Sequence, residues 1–147
     1  MTSAQAPLLL DTAIIVLLSR GGEMAERLDS RFGLSTRREV PMVSVVSVGE
    51  LLAFARNASW GARKEARLHE ILANLVVVDI NREPVLNAYA DLSAHLKSAG
   101  RPIGQNDLWI AACARATGAV LLTTDTDFDL LHPDWIRREW VDQATLR

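Results

Sequence analysis

Short apolar runs alternate with amphipathic stretches along most of the chain. Leu8–Leu10 is an apolar triplet that stops at Asp11, the pattern of a strand buried on both faces. Thr12–Ser19 reads as a helix closed by Gly21–Gly22, and Met24–Phe32 as a second helix. Pro41–Val46 is β-rich. Ser47 and Glu50 have capping-box spacing and would open a helix through about Ala58. Ala62–Leu75 is amphipathic, with Ala66, Ile71, Leu72 and Leu75 apolar and Arg63, Lys64, Arg67 and Glu70 polar. Val76–Val78 is strand-like. Asn81 can cap a long helix that tolerates Pro84 in its first turn and ends at Gly100. Asn106 or Asp107 starts another helix, which stops at Gly118. Val120–Thr123 follows as a core strand, Asp125–Asp129 as its loop, and Ile136–Val141 as a last edge strand. This alternation predicts a four- to five-stranded, mainly parallel sheet between helical layers, a three-layer α/β/α sandwich.

The chain has 147 residues, which suits one domain spanning 1–147. Hydrophobic residues make up 49 %, enough for a core, so a disordered chain is excluded. The formal charge of −2 excludes a strongly basic binder that holds nucleic acid by bulk attraction. The single cysteine, Cys113, excludes an intrachain disulfide and thiolate metal clusters, and reads as a small core residue. No apolar run approaches the ~20 residues of a membrane span. The first residues, MTSAQAPLLLD, have no basic region ahead of the leucines and do not read as a secretory signal. A soluble, cytoplasmic protein is the expectation.

Candidate chemistry lies in the acids. In parallel sheets the reactive crevice lies beyond the carboxyl ends of the strands. Asp11 follows one strand, and Asp125 and Asp127 follow another. Glu50 and Asp107 fall in the first turns of helices that point at the same edge. Each acid also has an ordinary role: Asp11 as a helix cap, Glu50 as a capping-box partner, Asp107 against the helix dipole, Asp125 or Asp127 in a turn. Four caps, however, have no need to share one sheet edge or to be acids. Clustered carboxylates repel and raise one another's pKa values unless a cation compensates. Mg²⁺ and Mn²⁺ prefer such oxygen ligands. Ions held this way polarise a phosphodiester and lower the pKa of a bound water, so no Ser, Cys or His nucleophile is required. His69, His95 and His132 show no zinc-ligand spacing.

The segments LLLDTA (Leu8–Ala13), SVGEL (Ser47–Leu51), QNDLWIAA (Gln105–Ala112) and VLLTTDTDF (Val120–Phe128) together resemble the motifs of PIN-domain ribonucleases. The likeness is greatest to the VapC-type toxins of bacterial toxin–antitoxin modules, and it covers essentially the whole chain. It implies a Mg²⁺- or Mn²⁺-dependent endoribonuclease that uses metal-activated water on single-stranded or loop RNA, often tRNA or rRNA, and so inhibits translation. Asp11, Glu50 and Asp107 match the first three family acids, all implied metal ligands. The fourth falls on Asp125, through the step Thr123-x-Asp125, with Asp127 close enough to share the role. Thr12, Asn106 and Thr123 match polar positions that steady the acids or the substrate phosphate. The resemblance also implies a homodimer and a small antitoxin that inserts a segment near the acids, where an arginine can pair with them. Two positions depart from the pattern. Ala13 stands where the family often has Asn, and the polar stretch Gly33–Arg38 is somewhat long, which leaves the second helix and any partner groove open.

Two other readings compete. Asp125-Thr-Asp127 suggests a phosphotransferase with an Asp nucleophile. That chemistry wants a lysine near the phosphate, and neither Lys64 nor Lys97 follows a strand in sequence. A non-catalytic interaction module on the same fold is the other. Trp109 reads as core or dimer packing, Arg37-Arg38 as a solvated pair or a phosphate contact, and Trp135 and Trp140 as packing for the terminal segment. The mild acidity is compatible with RNA contact. Setting aside the five acids proposed to share one pocket leaves 13 acids against 16 basic residues, a net of +3.

Overall fold

A computed structural model describes residues 6–146. The reading of the N-terminus as no secretory signal rests largely on residues 1–5, outside that range. Five strands are formed: β1 (Leu8–Leu10), β2 (Met42–Ser44), β3 (Val76–Val78), β4 (Val120–Thr123) and β5 (Arg137–Trp140). Six helices connect them: α1 (Thr12–Arg20), α2 (Gly22–Phe32), α3 (Val45–Asn57), α4 (Ala62–Ala73), α5 (Glu83–Ser98) and α6 (Gln105–Thr117). The sheet order is β3-β2-β1-β4-β5, and every pairing is parallel. The expected α/β/α sandwich holds, with β5 as the expected edge strand.

The apolar triplets build two cores because successive strand residues point to opposite faces. Leu9 and Leu121 join Leu92, Ile110, Ala111 and Phe128 on the α5–α6 side. Leu8, Leu10 and Leu122 join Ile14, Ile15, Leu51 and Leu68 on the side of α1 to α4. Cys113 is buried in the first core, as expected of a small core residue. Trp109 packs against that core and stacks on Tyr89 at 3.9 Å. Trp135 stacks on His95, and Trp140 donates from Nε1 to the Thr124 carbonyl, so both anchor the terminal segment. Arg37 donates to the Phe32 and Ala6 carbonyls, which makes it a tie between segments.

Four local expectations are corrected. Strand β2 ends at Ser44, not Val46, and Ser44 caps α3 by accepting from the Val46 N–H. Ser47 is therefore inside α3, and the Ser47–Glu50 capping box does not form; both side chains turn to Thr12 instead. Asn81 does not cap α5, whose N-cap is Arg82 without a side-chain bond; the Asn81 N–H donates to Asp79. Helix α6 begins at Gln105 with Gly104 as N-cap, so Asn106 and Asp107 lie in its first turn. The loop after β4 closes as a 3-10 turn, Thr126–Leu131.

Helices α1 and α2 meet at Gly21, whose φ of 69° lies in the region that suits glycine. The same corner is held by Arg67 of α4, which donates to the Ser19 carbonyl at 2.9 Å. That bond satisfies a terminal carbonyl of α1 and fixes α4 against it. Leu9, fully buried in the central strand, should lose about 3–5 kcal/mol on Leu9→Ala substitution, measured by urea denaturation. Leu86→Ala, at a side chain 46 % exposed, should change stability by under about 0.5 kcal/mol.

Candidate active site

The carboxyl ends of β1 and β4 lie side by side, and their next residues face one crevice. Asp11 takes the last rung of the pairing, donating its N–H to the Leu122 carbonyl at 2.9 Å. It is also the N-cap of α1 and accepts from the Thr12 N–H at 2.8 Å. Its other oxygen accepts from the Thr123 hydroxyl at 2.6 Å. The side chain is only 4 % exposed. Thr123 in turn accepts from the Asp125 N–H at 2.9 Å, and Asp125 accepts from the Asp127 N–H at 2.8 Å.

Glu50 is held from two sides. The Thr12 hydroxyl donates to Oε1 at 2.7 Å, and the Asn106 amide donates to Oε2 at 3.1 Å. Thr12 has one hydroxyl proton, so the buried Ser47 hydroxyl 2.8 Å away donates to Thr12. Thr12 and Asn106 thus each donate to Glu50, and Thr123 donates to Asp11. Ser47 was read only as a cap; its place in this chain depends on α3 packing beside α1, which local spacing does not reveal.

Asp107, Asp125 and Asp127 each bring a carboxylate oxygen to within 4.8 Å of the others'. Burial raises the Asp107 carboxyl most, and repulsion from Asp11, Asp125, Glu50 and Asp127 adds to it, so its pKa is pushed up to about 7. The Asp11 carboxyl is also raised, chiefly by burial and further by the charges of Asp125 and Glu50, although its bonds from Thr123 and Thr12 oppose the shift. The other four acids therefore all act on Asp107, and Asp125 and Glu50 act on Asp11 as well. Asp11, Glu50, Asp107 and Asp125 line an open cleft of about 790 Å³, with Asp127 exposed at its margin. Hard oxygen donors this close match the needs of a divalent cation. Asp11, Asp125 and Asp107 also keep the structural roles read for them, as caps and as a first-turn acid.

The cleft has a second wall that sequence reasoning missed. Arg20 at the end of α1, Phe54 on α3, Trp60 and Lys64 line it as well. Phe54 follows Glu50 by four residues and so shares its helix face, a signal that was legible. Lys64 was expected away from the strand ends, because it does not follow a strand in sequence. It reaches the cleft because α4 packs across α1, so the distance of the lysines does not weigh against a phosphotransferase.

Comparison with known proteins decides the family. The PIN domain model matches residues 8–131. The chain is 35 % identical over 136 residues to Ribonuclease VapC1 of Haemophilus influenzae, covering 88 % of this chain and 98 % of that protein. It is 27 % identical to Ribonuclease VapC5 of Mycobacterium tuberculosis, covering 89 % and 92 %. Among solved structures, VapBC-1 from nontypeable Haemophilus influenzae aligns with a TM-score of 0.68 at 27 % identity, over 90 % of this chain and 96 % of that one. VapBC2 from Rickettsia felis, bound to a DNA fragment from its promoter, aligns at 0.79 and 23 % identity over 92 % and 98 %, a likeness of fold. With an ordered set of acids on the matching sheet edge and relatives spanning nearly its full length, the chain belongs to the PIN-domain family, among the VapC ribonucleases.

Proposed function

We propose that this protein is a divalent-metal-dependent endoribonuclease and the toxin of a toxin–antitoxin pair. One observation carries the reading: Asp107 is partly buried among four other carboxylates, and burial first and their repulsion second push its pKa up to about 7. Such repulsion is costly in a purely structural site and is relieved by a cation. Asp107, Asp125 and Asp127 would hold the ion, with Asp11 beside them, and Mg²⁺ or Mn²⁺ suits that all-oxygen set. When bound, such an ion polarises a phosphodiester and makes a water molecule more acidic. The chain's own residues prepare the ground. Thr12 and Thr123 fix the carboxylates of Glu50 and Asp11, and Asn106 holds the second Glu50 oxygen. Glu50, with both oxygens anchored, is positioned to orient an attacking water and accept its proton. The open cleft admits a strand of RNA, tRNA or rRNA being the expected source.

The relatives' names support a cognate antitoxin, since VapBC structures from two organisms align with this chain. A separate cleft of about 620 Å³, bordered by Leu18, Ala25, Leu34, Ile71 and Leu75, offers an apolar seat for a segment of that partner. A homodimer and a cytoplasmic setting belong to the same reading. Among the described residues no helix is long and apolar enough to cross a membrane. The family relationship disfavours the phosphotransferase and the non-catalytic interaction module.

Asp107→Asn is the cleanest test, because among the described residues the Asp107 side chain makes no hydrogen bond. RNA cleavage should fall by at least about a hundredfold, with circular dichroism unchanged. Wild-type activity in that variant would sink the reading. Asp11→Asn should also abolish cleavage, with the α1 cap retained because Asn can accept from the Thr12 N–H as Asp does.

The raised carboxyls set a pH dependence with a definite sign. Between pH 4 and 7 the unfolded Asp107 has lost its proton while the folded one keeps it. Metal-free stability should therefore fall as pH rises through that window, and Asp11 adds in the same direction. Mn²⁺ should raise the melting temperature more at pH 7.5 than at pH 5, because ion and proton compete for the same oxygens. Scanning calorimetry with and without Mn²⁺ at both pH values checks this, and equal shifts at both would contradict it.

A further inference from the structure

The proposed chemistry uses one end of the cleft and leaves the other end unassigned. There Phe54 is 46 % exposed, on the same face of α3 as Glu50 and one turn beyond it. Lys64 sits over the Trp60 ring, 3.8 Å from its centroid, so that ring face is already taken. Phe54 is the open aromatic face. Arg20 is exposed at the end of α1, about 14 Å along the helix from Asp11, and makes no ion pair among the described residues. The cleft is thus acidic at one end and aromatic and cationic at the other.

We propose that Arg20, Phe54, Trp60 and Lys64 form a seat for one unpaired nucleotide flanking the scissile phosphate, with a base on Phe54 and a backbone phosphate on Arg20 and Lys64. This rests on the ribonuclease reading and adds a substrate form to it. A strand crossing the acids can continue over this wall, because both line the same cleft. Its phosphates are repelled by bare carboxylates and drawn to the two cations. An aromatic ring stacks on a base face, and only an unpaired base offers one. Phe54 is therefore the position at which one unpaired base is held, with its phosphate on Arg20 and Lys64.

The test is fluorescence anisotropy of a short labelled oligoadenylate in Mn²⁺, in the Asp107→Asn background so that the probe stays intact. Adding Phe54→Ala should weaken binding roughly five- to hundredfold, the range for one lost base stack, while Phe54→Tyr should restore it. Adding Arg20→Ala with Lys64→Ala should weaken binding and flatten its salt dependence. A duplex of the same length should not distinguish the Phe54 variants. Oligoadenylate affinity that is unchanged in Phe54→Ala, with a native fold, overturns the proposal and leaves the ribonuclease reading standing if the wild type still cuts RNA. Phe54 and Arg20 variants that bind RNA normally but lose a co-expressed antitoxin would give the wall to a protein segment, also overturning it. Wild-type protein that neither cuts nor binds RNA would remove both readings together.

Discussion

The hydrogen bond from Thr123 to Asp11, 2.6 Å long and buried, joins the carboxyl ends of the two central strands. Much of the site is referenced to it. Asp11 is at once a strand end, a helix cap and a buried acid. The next residue, Thr12, reaches across to Glu50, and Thr123 accepts from the Asp125 backbone. Two threonines, one after each strand or at its end, thereby set three acids that are far apart in sequence. Their rigidity comes from the sheet, since both are attached to parallel rungs that neither face can leave without breaking a core.

The arrangement stores electrostatic strain. Burial and mutual repulsion raise both Asp11 and Asp107, and local structure offsets only part of this. The N-termini of α1 and α6 place partial positive charge beside Asp11 and Asp107. Hydrogen bonds hold Asp11 and Glu50 in place without neutralising them. A fold selected for stability alone would replace such acids with Ser or Asn, which cap helices as well. The retained charge makes sense where a cation and a polyanion are to be bound. Two cationic side chains, Arg20 and Lys64, border the same cleft.

Strand positions were legible from short apolar runs set between helical patterns, and in the central strands β1 and β4 those runs are largely buried. Leu8–Leu10, Val76–Val78 and Val120–Thr123 fall where the pattern put them. Caps were less legible. Ser44 and Ser47 both precede apolar helical residues, and Ser47 alone has Glu at capping-box spacing. Thr12 overrode that local rule by offering Ser47 and Glu50 partners from another element. Asn81 likewise lost the cap of α5 to an extended approach through Arg82.

The sequence by itself determined the layers, the parallel sheet and the edge on which the acids collect. These follow from hydrophobic period and from the rule that helices begin where parallel strands end. Only the tertiary structure decided which side chains share the cleft with them. Lys64 arrives from α4 and Arg20 from the far end of α1, while Ser47, buried inside α3, backs Thr12 from behind. Such meetings depend on how helices pack across one another, a long-range geometry that residue spacing along one helix does not encode.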